Sequence, residues 1–563
     1  MIPPAATADS RGSTWLLGLL GVVVLTFALY ARTLPYDYVM DDTAYIGANP
    51  AVTVGAPLAS YFNDRHTIAA NPTLQSQSYR PLRTLAYRVL WVLGNGQPWF
   101  FRAANLVAYA AEIVLLFVLL LRLGAERSAA LAAVALWALL PVHVEPVVYP
   151  SSFGDHLSLV LELGAIILSL RICRAGFGQR ATLAAALGLS AAGMLVKEMA
   201  MTVGPIVAVC ALATAEERSP ALRRRVVLLT GLHLLVAALF FALRTRVIAE
   251  IGHAPLEPRD VLRALAETPL VVGAYLHAAL MPLGHHPAYV MPSVPPWGVS
   301  LAWLAMGGAG LVLYQRGGLA RAGALFFAVS LLPVLRYIPL AANYADRFAL
   351  VPTLGLAFIV SFGIARLLTW WPRGGIVALA LLASVYAAGT WVEQPAWRND
   401  VTLWRKAYAL APQSYLANKN LGVLAFQQGR VEEALRFFNR ANALGSESAA
   451  IHFLRASALY TLGRMDEARA AARASARIPG APGGALALHG VFLVKAGKLE
   501  VATRVLGMAL RADPEHEFSW LLRADLAAAR GDRTTERAAL EYLRSLMPEE
   551  AVYTQRLQAL PPP

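Results

Sequence analysis

Two adjacent carboxylates, Asp41 and Asp42, stand in "LPYDYVMDDTAYIGANP", residues 34–50, among Tyr36, Tyr38 and Tyr45. They follow directly on an apolar run, residues 14–31. A carboxylate at a bilayer surface can take the proton of a hydroxyl as that hydroxyl attacks. A second one beside it can orient the first, raise its pKa by like-charge repulsion, or help to hold a divalent metal. Further polar stretches recur along the chain. "SQSYRPLRTLAYRVLW" carries Arg80, and "LPVHVEPVVYPSSFGDH" carries His143, Glu145, Asp155 and His156. "LVKEMAMT" carries Lys197 and Glu198, "MPLGHHPAYVMP" two histidines, and "RYIPLAANYADRF" Tyr344, Asp346 and Arg347.

These types sort into roles. Asp41 is the candidate base and Asp42 its assistant, an order that could be reversed. Lys197, Arg347 and Arg80 are cations suited to a departing lipid phosphate. His143, Glu145 and Asp155 are candidates for an acceptor or metal site, although their spacing matches no closed zinc pattern. Each has a plainer reading too. His143 and Glu145 can fix a kink near Pro141 and Pro146, Lys197 can pair with Glu198, Arg347 with Asp346, and Arg80 can snorkel to head groups. Glu112 and Glu162 lie inside apolar runs and are expected to hydrogen-bond between helices.

The elements that position them are membrane helices. The chain has 563 residues, 57% hydrophobic and 15% charged, with mean hydropathy +0.51. Soluble domains carry about 25% charged residues. The net charge of +14 is assigned to Arg-rich cytoplasmic loops, and no basic run interleaved with aromatics points to nucleic acid. Cys173 and Cys210 support neither a disulfide framework nor a thiolate metal site. The first apolar run reads as a retained signal anchor, because no small-residue cleavage site follows it.

Eleven runs approach the roughly 20 residues of a span: 14–31, 103–121, 129–148, 154–170, 181–196, 199–215, 226–245, 299–314, 320–336, 349–368 and 374–392. A twelfth, "LVVGAYLHAALM" at 270–281, is short and bounded by Pro269 and Pro282, and reads as an interfacial or re-entrant helix. With the N-terminus in the cytoplasm, an odd count puts Arg122, Arg127, Arg171, Arg174, Arg180, Arg218, Arg223, Arg224, Arg225, Arg316, Arg321, Arg366 and Arg373 inside. All the polar stretches, including the long loop 32–102, then face outside. The membrane domain is expected to cover 1–393.

Residues 394–563 read as a second domain. Glycines recur at 429, 463, 497 and 531, every 34 residues, with Ala434, Ala468 and Ala502 five positions after the first three. Pro412, Pro514 and Pro548 close the register. This is the tetratricopeptide period, an α-solenoid whose concave face binds peptides or proteins. Trp391 and Trp397 read as interface anchors, and the short connection places the solenoid close above the membrane domain. The expected fold class is therefore all-α, a polytopic membrane bundle followed by a tetratricopeptide-repeat solenoid.

"MDDTAYIGANP", "SYRPLRTLAYRVLWVLG", "ALLPVHVEPVVYPSSFGDHLS", "LVKEMAMTV" and "ANYADRFALVPTLGL", in this order and followed by the repeats, resemble the transmembrane and tetratricopeptide-repeat O-mannosyltransferases. These belong to the C-type lipid-phosphate-sugar glycosyltransferases. The resemblance implies an outer acidic pair that supplies the base, a polyprenyl- or dolichyl-phosphate sugar as donor, inversion at the anomeric carbon, and a Ser/Thr hydroxyl acceptor recruited by the repeats. A metal is a candidate only. The chain departs from the family pattern at Phe348 and Ala349 and lacks the acid that commonly precedes the tyrosine of "HHPAYVMP". A membrane-anchored scaffold and an oligosaccharide ligase are the competing readings. The first leaves the one-sided polar stretches without a role, and the second usually carries its rich outer loop late in the membrane domain. The Ala, Arg and Leu bias points to a GC-rich bacterium, hence an inner membrane with site and repeats on the periplasmic side.

The odd count is open to a direct check. A single cysteine placed at Gly317 should react with an impermeant maleimide only in inverted vesicles, and one at Asn95 only in right-side-out ones; labelling of position 317 from outside breaks the assignment.

Overall fold

The computed structural model describes residues 10–70, 78–248, 258–290, 294–335, 344–445, 448–478, 480–513, 516–547 and 550–561. Among them every regular element is helical. The chain divides into two compact units, Met1–Leu403 and Trp404–Pro563.

In the first unit seven helices are long and apolar enough to cross a membrane: Trp15–Thr33, Pro98–Arg122, Pro150–Ala175, Pro220–Val247, Pro296–Arg316, Pro352–Trp370 and Pro372–Arg398. An eighth crossing arises if Arg127–Ala138 and Pro141–Val148, bent by 54°, form one span. Most of these helices begin at proline, whose missing N–H costs nothing in the first turn. Eleven spans are not confirmed by this count. The other expected segments, Arg180–Val196, Glu198–Ala213 and Gly318–Val334, are helical but short. The 17 residues of Arg180–Val196 reach about 25 Å, against a hydrocarbon core of about 30 Å. Membership of the protein in the membrane rests on the seven full-length helices.

The short segment expected at 270–281 is instead the second half of a 23-residue helix, Pro258–Leu280, which runs through Pro269. Ala264, Thr268, Val271, Tyr275, Ala278 and Ala279 are buried along it at helical spacing, while Leu262 and Leu265 are exposed. One face therefore packs inward. Trp397 is buried against Tyr149, with ring centroids 6.0 Å apart, so it is a core residue rather than an interface anchor. Trp391 is half-exposed under the Arg32 guanidinium.

Glycine sets one close helix crossing. A Cβ on Gly323 would lie 2.5 Å from the carbonyl oxygen of Gly355, and one on Gly355 2.6 Å from that of Gly323. Gly318–Leu331 and Pro352–Trp370 thus touch backbone to backbone, the approach that small residues permit in bilayers.

In the second unit helices of 13 or 14 residues follow one another from Tyr415–Gln427 to Arg533–Leu546. Gly429, Gly463, Gly497 and Gly531 all adopt a left-handed φ of +73° to +75°, the turn that reverses each helix pair. Ala434, Ala468 and Ala502 are fully buried where paired helices approach. Pro412 precedes the first pair, whereas Pro514 and Pro548 lie outside the described residues.

Gly355→Ala should lower the thermal unfolding temperature in detergent by a loss on the order of 1–3 kcal/mol, since the methyl meets backbone that cannot swing aside. Gly363→Ala, on the same helix with nothing within 4 Å of the new Cβ, should leave it unchanged or raise it slightly.

Candidate functional site

The turn that carries the two acids is held from several directions. After the first span the chain makes a 3-10 turn, Ala31–Thr33, and reaches Met40 with a positive φ of 55°. The Met40 N–H donates to Asp400 at 2.8 Å, and the Asp37 N–H to the Arg398 carbonyl at 3.0 Å. Arg102, fully buried, donates to the carbonyls of Tyr36, Asp37 and Val148. Asn49 caps the helix Pro50–Thr53 through the Ala51 N–H at 3.1 Å.

The two acids differ sharply. Asp42 is completely buried. Its Oδ2 accepts the Val39 N–H at 2.9 Å, and its Oδ1 accepts the Ser151 N–H at 2.8 Å and the Ser151 hydroxyl. Burial pushes its pKa up to about 7, against the pull of the Ser151 and Val39 hydrogen bonds. Asp41 is half-buried, and among the described residues its carboxylate has no hydrogen bond or ion pair. It lies in the electrostatic reach of Arg347 and Tyr149.

The expected cations are present, each on an acid. Arg347 donates to Glu145 Oε1, while the Asp346 N–H donates to Glu145 Oε2 at 3.0 Å. Lys197 binds Asp155, and Arg80 grips Glu198 through two bonds of 2.8 and 2.6 Å. Burial alone would raise the Glu198 carboxyl, but the Arg80 guanidinium overrides it and holds it at about 2. So Lys197 does not pair with Glu198, Arg347 does not pair with Asp346, and Arg80 is no snorkelling side chain. Phe348 lies under both Lys197, 5.3 Å away, and Arg347, 5.1 Å away. Asp346 takes His285 Nδ1 at 2.8 Å and the Tyr289 hydroxyl at 2.9 Å. Burial opposes a charged His285 ring, yet the Asp346 carboxylate outweighs it and raises the His285 pKa.

His143, Glu145 and Asp155 do not converge. His143 contacts the Tyr109 hydroxyl at 2.8 Å and Thr353 at 3.0 Å, Glu145 turns to Arg347, and Asp155 to Lys197. Among the described residues no three His, Cys, Asp or Glu side chains could share a metal ion. The donors do not fit a divalent metal, because each is already committed to a different partner. Glu112 binds His156 at 2.9 Å across two helices, and Glu162 binds Ser158 on its own helix.

Four contributors were not singled out from sequence: Ser151, Arg102, Arg83, and His285 as the partner of Asp346. Arg83 sits on the helix Pro81–Leu93, whose buried residues include Arg83, Thr84, Tyr87 and Leu90. A cation on that stripe was the readable signal.

Comparison with known proteins follows the same plan. A tetratricopeptide-repeat family model matches residues 401–449 and 441–484. Protein O-mannosyl-transferase Tmtc2 of Drosophila melanogaster is 34% identical over 194 residues, 33% of this chain and 20% of its own. Human Protein O-mannosyl-transferase TMTC1 is 24% identical over 501 residues, 79% of this chain and 56% of its own. Drosophila Protein O-mannosyl-transferase Tmtc3 is 24% identical across 81% of this chain and 58% of its own. The chain is a homologue of these transferases. It spans about half or less of their lengths.

The raised Asp42 pKa has a measurable sign. Between about pH 4 and pH 7 the folded state holds a proton that the unfolded state releases, so stability falls as pH rises through that window and levels off above it. Asp42→Asn should remove this component: the difference in unfolding temperature between wild type and variant should shrink or reverse from pH 5 to pH 7.5, and a pH-independent difference would contradict a buried, proton-binding Asp42.

Proposed function

We propose that this chain is a membrane glycosyltransferase of the O-mannosyltransferase type. It moves a mannose-like sugar from a polyprenyl-phosphate carrier to a hydroxyl, of Ser or Thr in a protein presented by the repeats. The observation that carries this reading is the contrast within the acidic pair: Asp42 is locked into the fold, while Asp41 is left unpartnered beside Arg347 and Tyr149. The similarity of four fifths of the chain to named transferases supports the reaction class.

The chemistry balances without a cofactor. The acceptor oxygen forms a bond to the anomeric carbon as its proton passes to the Asp41 carboxylate. The bond from that carbon to the phosphate oxygen breaks, and the polyprenyl phosphate departs with the electron pair. Attack opposite the leaving phosphate inverts the centre. Cations near the phosphate steady its growing charge. Asp42 supports the base by holding the turn on Ser151. The composition supports a bacterial inner membrane, with an undecaprenyl carrier and the reaction on its periplasmic face.

Asp41→Asn should lower sugar transfer from labelled polyprenyl-phosphate mannose by at least about 10²-fold, the scale of a lost general base, at unchanged unfolding temperature. Full activity in that variant removes Asp41 from the mechanism.

A further inference from the structure

Among the described residues one buried cation here has neither a carboxylate nor a carbonyl on its Nε and Nη2. Arg83 is 4% exposed, and its Nε and Nη2 are buried with no hydrogen-bond partner among the described residues. Its contacts are aromatic: the guanidinium carbon lies 4.3 Å from the centre of the Tyr45 ring and 5.7 Å from that of Tyr87. Each neighbouring cation, Arg80, Lys197 and Arg347, already holds a carboxylate. A buried charge without an opposite charge is costly, and aromatic faces return only part of that cost. A fold that keeps such a group keeps it for an anion.

The position is built. Tyr45 donates its N–H to the Asp41 carbonyl at 2.9 Å, so the ring that Arg83 covers belongs to the acidic turn. Tyr87 donates its hydroxyl to the carbonyl of Ser151, the residue that clamps Asp42. Gly154 leaves room for the arginine stem, since a Cβ there would lie 2.9 Å from Arg83 Cγ and Cδ. The guanidinium is thus seated against the turn that carries Asp41 and Asp42, with two donors unsatisfied.

We propose that Arg83 is the residue that takes the phosphate of the lipid carrier, through its free Nε and Nη2, and that Lys197, Arg347 and Arg80 act instead as paired groups that hold the surrounding segments together. This rests on the transferase reading above. Two N–H donors in one plane match two phosphate oxygens.

The test uses the full chain in nanodiscs and follows the rise in unfolding temperature on adding undecaprenyl phosphate, with phosphatidylglycerol and inorganic phosphate run alongside. Wild type should show a rise with undecaprenyl phosphate that neither other probe gives. Arg83→Gln should abolish it while the ligand-free unfolding temperature stays the same or increases, because an uncompensated charge has been removed. Arg83→Lys should recover part of the shift. Gly154→Ala, which crowds the stem but keeps the charge, should weaken apparent affinity by at least about 10-fold. An undiminished shift in Arg83→Gln overturns the proposal, as does an equal shift with phosphatidylglycerol or inorganic phosphate. A structural role alone would instead lower the ligand-free temperature and leave the shift intact. Asp41→Asn separates the two readings: it should lose transfer but keep the shift. An Arg83-dependent shift in a protein that transfers no sugar would defeat the transferase reading and leave the phosphate site standing.

Discussion

A charge taken out of water must be matched, and the polar segments that connect the helices of the first unit are organised by that requirement. Arg347 answers Glu145, Lys197 answers Asp155, Arg80 answers Glu198, and His285 answers Asp346. Each pair joins segments far apart in sequence, so the pairs act as staples between loops as well as neutralising one another. Such pairs add little net stability compared with apolar packing, but losing one partner is expensive, which makes the arrangement specific. Against this matched background, two charged groups without a hydrogen bond or ion pair among the described residues are informative: the Asp41 carboxylate and the Arg83 guanidinium.

The two carboxylates show how environment separates neighbours of identical chemistry. Asp42 accepts three hydrogen bonds in a dry pocket and becomes part of the scaffold, joining the loop after the first span to Ser151 in the loop before the helix Phe153–Ala175. Asp41 is half-buried, and among the described residues its carboxylate takes none of those donors. Burial raises the pKa of Asp42 to about 7, which sets it apart from an ordinary carboxylate.

Much of the fold was legible for simple reasons. The repeat unit follows from a period of 34, since glycine is the residue that tolerates the left-handed turn at 429, 463, 497 and 531, and alanine fits where helices touch at 434, 468 and 502. Long apolar runs translated directly into helices. Counting crossings was harder. Hydropathy sees composition, whereas a break at Lys197 or a 54° bend at Pro141 decides whether a run is long enough to cross. Of the amphipathic helix Pro258–Leu280 only the second half was read as helix, because its first half is charged and its proline falls inside it rather than at its end. In the site, residue types were readable but their partners were not. Lys197 and Glu198 are neighbours in sequence, yet consecutive residues point in different directions, and each found a partner on another segment, at Asp155 and Arg80.

By itself the sequence determined the helical class, the two-part plan, the presence of membrane helices and the set of charged residues gathered into a few polar stretches. Periodicity and hydrophobicity are local properties, written within a window of a few turns. Only the tertiary structure decided which charge meets which, that Asp42 is buried while Asp41 is free, that His143, Glu145 and Asp155 part company, and that Arg83 remains unmatched. Pairing energies depend on distance and on exclusion of water, and both are set when segments separated by tens to hundreds of residues pack together.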